Sequence, residues 1–166
     1  MKTFKGKPVT LLGETKKVGD QAPDFKVLTT KNEMVHLKEF KQKYIVLNVV
    51  PSLDTTVCDL QARTVNRELV SRNDCLVITI SNDLPTAQNR WCGNSGLENV
   101  ITLSDHLELD FATKYGVHMK ENRLLARSVF VLDENRQVIY VEYVDEMTSH
   151  INYDQLIGFV KQLPKE

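Results

Sequence analysis

The sequence predicts a layered α/β domain, and three observations carry that prediction. Two near-continuous apolar runs rich in β-branched residues, Tyr44–Val50 and Leu76–Ile80, have the composition of strands buried on both faces of a sheet. Segments with helical apolar spacing follow each of them. Two further strand-like runs and one amphipathic segment close the chain, so strands alternate with helices before a last hairpin and helix.

The elements follow in chain order. Thr3–Lys5 and Val9–Leu12 flank Gly6-Lys7-Pro8, a turn signal, and predict a short N-terminal hairpin. Phe25–Leu28 and Met34–Leu37 form a second pair around Thr30-Lys31-Asn32. Cys58, Ala62, Val65 and Leu69 share one helical face after the first buried strand. Leu84, Ala87 and Trp91 mark a short helix with Pro85 at a suitable first position, and Val100–Leu103 is a short strand. Leu107, Phe111 and Tyr115 predict a helix between Ser104, a candidate cap, and Gly116, a stop. Ser128–Leu132 and Val138–Val141 flank Asp133-Glu134-Asn135-Arg136 as an antiparallel hairpin. Leu156, Val160 and Leu163 mark the last helix, with Asn152 and Gln155 spaced as a capping box. No repeat, linker or low-complexity tract interrupts the pattern, so residues 1–166 are expected to form one domain.

Composition narrows the function classes. Apolar residues are 42%, charged residues 26% and the net charge is −1, values normal for a globular protein. Nothing in that balance suggests a nucleic-acid partner, and the run around Lys38, Glu39, Lys41 and Lys43 reads as a solvated face. The N-terminus lacks the apolar stretch of a secretory signal, and no window has the ~18 apolar residues of a membrane span. The expected location is the cytoplasm, with no membrane association.

Three cysteines, Cys58, Cys75 and Cys92, need separate readings in a reducing compartment. Cys58 falls in the first turn of a helix that leaves the C-terminal end of a buried strand. Asp54, Thr55 and Thr56 just before it are all good N-cap residues. Free N–H groups and the positive end of the helix dipole gather there and favour a thiolate, the reactive form. Its place on the stripe with Ala62, Val65 and Leu69 equally fits a packed core residue. Cys92 ends a short helix before Gly93-Asn94-Ser95-Gly96, which suits either a group that must move or a half-buried thiol. Cys75 opens a strand and reads as a core or strand-end residue.

The segment Pro51-x-x-x-Thr55-x-x-Cys58 matches the active-site signature of peroxiredoxins. Together with Asp83-Leu84-Pro85 to Trp91-Cys92, Asn99–Ser104 and Leu125-Ala126-Arg127, it resembles the atypical two-cysteine thiol peroxidase subfamily over most of the chain. The resemblance implies a thioredoxin-like fold, a central mixed β-sheet flanked by helices with an N-terminal β-hairpin. It also implies roles. Cys58 would be the peroxidatic nucleophile that becomes a sulfenic acid. Thr55 would direct its hydroxyl at the sulfur and the peroxide. Pro51 would close the pocket over the sulfur. Arg127 would stabilise the thiolate and the charge growing on the leaving oxygen. Cys92 would resolve the sulfenic acid as an intramolecular Cys58–Cys92 disulfide, which a thioredoxin-type reductant reopens. A homodimer is expected on the same basis.

Other chemistries lack their motifs. His36, His106, His118 and His150 are scattered, and none stands at zinc spacing from the cysteines. The peroxidase is therefore expected to need no metal and no organic cofactor. There is no C-x-x-C, no G-x-G-x-x-G and no Walker loop. Two alternatives stay open. One is a redox-sensing interaction module on the same fold, which would oxidise once and stop. The other is a non-catalytic α/β domain whose cysteines are all core.

Overall fold

The computed structural model describes residues 1–97 and 99–165. The chain begins with β1 (Thr3–Phe4), β2 (Lys7–Pro8) and β3 (Leu11–Leu12). β4 (Lys26–Leu28) and β5 (Met34–His36) form an antiparallel pair, and β6 (Tyr44–Val49) leads into α1 (Thr56–Leu69). β7 (Cys75–Ser81), α2 (Pro85–Ser95) and β8 (Ile101–Ser104) come next. α3 (Asp110–Tyr115), β9 (His118–Met119), β10 (Ser128–Leu132), β11 (Val138–Tyr143) and α4 (Tyr153–Lys161) complete the chain.

Seven strands make one mixed sheet in the order β11-β10-β6-β7-β8-β4-β5. The centre, β6-β7-β8, is parallel, and both flanks are antiparallel. Parallel strands need helices over their faces, and α1 and α2 supply the β6-to-β7 and β7-to-β8 connections. Every residue of β6 and β10 is buried. The register separates the faces. Asn48 and Tyr140 point toward α1 and α4, where Gln61 and Phe159 meet them. Phe130, on the other face, meets Phe111 and Tyr115 of α3 with ring centroids at 6.4 and 5.3 Å. Phe25 stands edge-on to both α3 rings. Phe111 is fully buried in that aromatic group. Phe111→Ala is expected to cost about 3–5 kcal/mol, and denaturant unfolding measures it.

Four details depart from the sequence reading. The N-terminal hairpin is tighter than expected. Thr3 pairs with Pro8 and Phe4 with Lys7, around a turn of Lys5 and Gly6 with φ of 52° and 78°. Two successive left-handed residues make the turn whose twist suits a two-residue hairpin, so Lys7-Pro8 is strand rather than turn. Leu11 and Leu12 instead pair with Met119 and His118 of β9, a strand the apolar pattern did not mark. Ser104 does not cap α3, because it belongs to β8. The Asp105 carboxylate does that work by accepting from the Phe111 and Ala112 amides at 3.0 and 2.8 Å. Finally, α2 runs on to Ser95 and ends at Gly96 (φ 70°), so Cys92 lies within its last turn rather than at its exit.

Other signals hold. Gly116 ends α3 in the left-handed conformation at φ 67°, and a Cβ there would stand 2.7 Å from the Glu14 backbone. Asn152 Oδ1 accepts from the Gln155 amide and caps α4. The Asn152 amide is taken by Glu142, so only half of the capping box forms. No helix among the described residues is long and apolar enough to cross a membrane.

Candidate active site

Residues 50–55 carry the chain from the end of β6 to the start of α1, and Asp83 pins this turn. Its carboxylate accepts from the Ser52 hydroxyl at 2.7 Å, the Leu53 amide at 2.8 Å and the Ser81 hydroxyl at 2.6 Å. The Thr55 hydroxyl donates to the Ser52 carbonyl at 3.0 Å instead of capping the helix. Cys58 follows in the first turn of α1, where backbone N–H groups lack intrahelical acceptors. Its thiol is 1% exposed and packs with Val50, Leu53 and Ala62, with Trp91 against the edge.

Arg127 is 2% exposed and sits just before β10. Nη2 donates to Cys58 Sγ at 3.1 Å, Nη1 to Gln61 Oε1 at 2.9 Å, and Nε to the Met147 carbonyl at 2.9 Å. The guanidinium is thus held at three edges, one of them reserved for sulfur. Among the described residues none of its acceptors is a carboxylate. Gln61 Nε2 in turn donates to Asn48 Oδ1 at 2.7 Å and to the Val49 carbonyl at 3.3 Å. Asn48 Nδ2 reaches Thr79 Oγ1 at 3.3 Å.

A cavity of about 380 Å³ opens onto this pair. Pro51, Thr55, Leu124, Met147, Thr148 and Phe4 line it along with Cys58 and Arg127. One wall is built from two distant parts of the chain, the β1–β2 turn and the loop at 146–148. Glu146 joins them by accepting from the hydroxyls of Thr3 and Thr148 and the amides of Lys5, Gly6 and Thr148. The Thr148 hydroxyl and amide, then the Gly6 amide, lower the Glu146 carboxyl from 4.5 to about 2. A depressed carboxylate stabilises the fold above its unfolded-state value, and that contribution fades as pH falls from 4.5 through about 2. Exchange protection of the Gly6 and Thr148 amides is expected to decline across that window. In Glu146→Gln it should be low and independent of pH there. Flat, high protection in both proteins would mean that Glu146 does not hold the wall.

Cys92 looks elsewhere. Its Sγ lies 3.3 Å from Thr102 Oγ1 and borders a separate groove with Val35 and Phe40. All three cysteines are free thiols. The last turn of α2 is clamped to α1 close by. Trp91 Nε1 donates to Asp59 Oδ1 at 2.6 Å, Arg63 pairs with Asp59 at 3.0 Å, and Arg63 Nη1 donates to the Ser95 carbonyl at 2.6 Å. Cys75 is buried at the start of β7, and burial pushes its thiol up to about 12.

Comparison with known proteins places this geometry. The Redoxin family profile matches residues 17–157. The thiol peroxidase of Bacillus subtilis (strain 168) is 55% identical over 163 residues, 98% of each chain. That of Staphylococcus haemolyticus (strain JCSC1435) is 53% identical over 152 residues, 92% of each chain. The chain belongs to the Redoxin family, in its thiol peroxidase branch. A crystal structure of a peroxiredoxin-like protein from Aquifex aeolicus superposes with a TM-score of 0.91 at 38% identity, covering 98% of this chain and 96% of that one. A thiol peroxidase from Chromobacterium violaceum has the same fold, with a TM-score of 0.88 at 21% identity, covering 97% of this chain and 95% of that one. The thioredoxin-like fold expected from the thiol peroxidase resemblance is therefore the fold observed.

Within the thiol peroxidase frame, the structure brings Pro51, Thr55, Cys58 and Arg127 to one cavity. Cys92 lies outside it and borders the separate groove. The Thr55 hydroxyl is turned to Ser52 rather than to the sulfur. Sequence reasoning missed Gln61, Asn48, Asp83, Glu146 and Met147. Asn48 did carry a signal, a polar residue in an otherwise apolar run, but nothing local said that it meets Gln61.

Proposed function

We propose that this chain, folded as one domain, is a thiol-dependent peroxidase that reduces hydrogen peroxide and organic hydroperoxides with Cys58. The observation that carries the reading is the 3.1 Å contact between Arg127 Nη2 and Cys58 Sγ at the end of a cavity large enough for a hydroperoxide. The Cys58 thiolate attacks the terminal peroxide oxygen. An S–O bond forms and the O–O bond breaks. The displaced oxygen takes the electron pair and then a proton, leaving as water or an alcohol, and Cys58 becomes a sulfenic acid. Arg127 offsets charge on the sulfur before the step and on the leaving oxygen during it. Pro51 limits water at the sulfur. Thr55 lies within reach of the same cavity and supplies a hydroxyl to the peroxide once it turns from Ser52.

Cys92 then resolves the sulfenic acid. Its sulfur attacks Cys58, a disulfide forms and water leaves. Cys58 and Cys92 border different cavities, and a disulfide needs Cα atoms within roughly 7 Å, so resolution moves the last turn of α2 and releases its contacts with Asp59 and Arg63. A thioredoxin-type dithiol reopens the bond by exchange, becoming oxidised as Cys58 and Cys92 are reduced. Location in the cytoplasm and assembly as a homodimer complete the proposal.

The test is peroxide-dependent NADPH consumption with thioredoxin and thioredoxin reductase. Wild type is expected to cycle. Cys92→Ser is expected to consume its first equivalent at the wild-type rate and then stall with thioredoxin. A wild type that itself stops after one equivalent would favour the redox-sensing module, and a Cys92→Ser protein that cycles normally would remove Cys92 from the mechanism.

A further inference from the structure

We propose that Asn48 and Thr79 are positioning residues for peroxide reduction: they anchor the Gln61 amide that holds Arg127. The inference rests on the thiol peroxidase reading and extends it into the centre of the sheet.

Asn48 and Thr79 are cross-strand partners in the parallel pair β6–β7, and both are buried among aliphatic neighbours. Such strands are ordinarily apolar throughout, and a polar pair there needs a reason. Its hydrogen bonds all run in one direction. Asn48 Nδ2 donates to Thr79 Oγ1, which leaves Asn48 Oδ1 facing α1. That oxygen accepts from Gln61 Nε2 at 2.7 Å, which leaves Gln61 Oε1 facing Arg127. Gln61 Oε1 accepts from Arg127 Nη1, and Nη2 then lies on Cys58 Sγ. Arg127 offers only donors and the Val49 carbonyl only accepts, so these two set the polarity of the Gln61 amide. Asn48 anchors that amide, and the Thr79 hydroxyl anchors Asn48. Without these anchors Gln61 is free to turn its Oε1 from the guanidinium, and Arg127 would lose one of its three holds. The second acceptor of Gln61 Nε2, the Val49 carbonyl, lies at the longer distance of 3.3 Å. Asn48 is therefore the closer of the two anchors.

Two substitutions at Thr79 separate this role from packing. Thr79→Val keeps the shape and removes the hydroxyl. Thr79→Ser keeps the hydroxyl and removes a buried methyl. The reading is the second-order rate constant for oxidation of Cys58 by hydrogen peroxide in a single turnover. The loss of one hydrogen bond should slow Thr79→Val about threefold to tenfold, with Thr79→Ser close to wild type although it is the more loosely packed. Asn48→Leu removes the acceptor for Gln61 outright and should be slower again. A denaturation midpoint is measured on each variant, so that a fold too weak at Thr79→Val passes the decision to Asn48→Leu. The opposite order, with Thr79→Ser the slower protein, or an Asn48→Leu rate equal to wild type, would overturn the proposal. Failure of wild type itself to react with peroxide would instead sink the peroxidase reading.

Discussion

Cys58→Ser is expected to consume no hydroperoxide above the uncatalysed background, with or without thioredoxin, while its thermal unfolding stays close to wild type. A serine hydroxyl holds its proton at neutral pH and is a poor nucleophile toward peroxide oxygen, whereas a thiolate beside a guanidinium is a good one. The substitution is nearly isosteric, and the serine oxygen can still accept from Arg127 Nη2, so the fold should tolerate it. Residual turnover in this variant would have to come from Cys92 or Cys75. Cys75 is disfavoured by burial that pushes its thiol up to about 12. Activity retained in Cys58→Ser but lost in Cys92→Ser would reverse the proposed roles.

Arg127→Lys is the second large effect. Lysine keeps the charge but offers a point donor in place of a planar fork. It cannot meet Cys58 Sγ, Gln61 Oε1 and the Met147 carbonyl together, as Arg127 does. Donors placed where transition-state charge develops are each worth roughly 100-fold to 1000-fold in rate. The single-turnover rate of Arg127→Lys with hydrogen peroxide is expected to fall by about 100-fold or more. Its folding should be affected less, since the cation remains paired with the same sulfur. A rate within a few fold of wild type would mean that positive charge alone suffices at this position.

The parts of this architecture visible in the sequence are those written in local chemistry. The buried strands around Val46 and Ile78 announce themselves by composition, because parallel strands are covered on both faces. Cys58, Thr55 and Pro51 are legible because they stand in one short segment that resembles the peroxiredoxin signature. Arg127 is legible in part, as a charge set between an apolar segment and a buried strand, and the structure supplies the acceptors that such a place demands.

What stayed hidden depends on pairing between distant segments. Lys7-Pro8 reads as a turn from its residues, yet two positive φ angles at Lys5 and Gly6 make it a strand. Ser104 and Asp105 are adjacent and both good caps. Only the extension of β8 through Ser104 assigns the role to Asp105. Glu146 looks like one more surface acid, and only the return of the chain beside the N-terminal hairpin gives it five donors. Asn48 interrupts an apolar run, and Gln61 explains it once β6 and α1 are packed together. The Asp59–Trp91 contact likewise cannot be read from either helix alone, although it ties the residue before Cys92 to α1.

The most direct test of the central claim is mass spectrometry of the reduced protein after one equivalent of hydrogen peroxide. The peroxidase account predicts that the intact mass falls by two hydrogens, that a digest contains one cross-linked peptide joining Cys58 to Cys92, and that Cys75 remains alkylatable once unfolded. A stable Cys58 sulfenic acid with Cys92 still free, or a disulfide that includes Cys75, would contradict it.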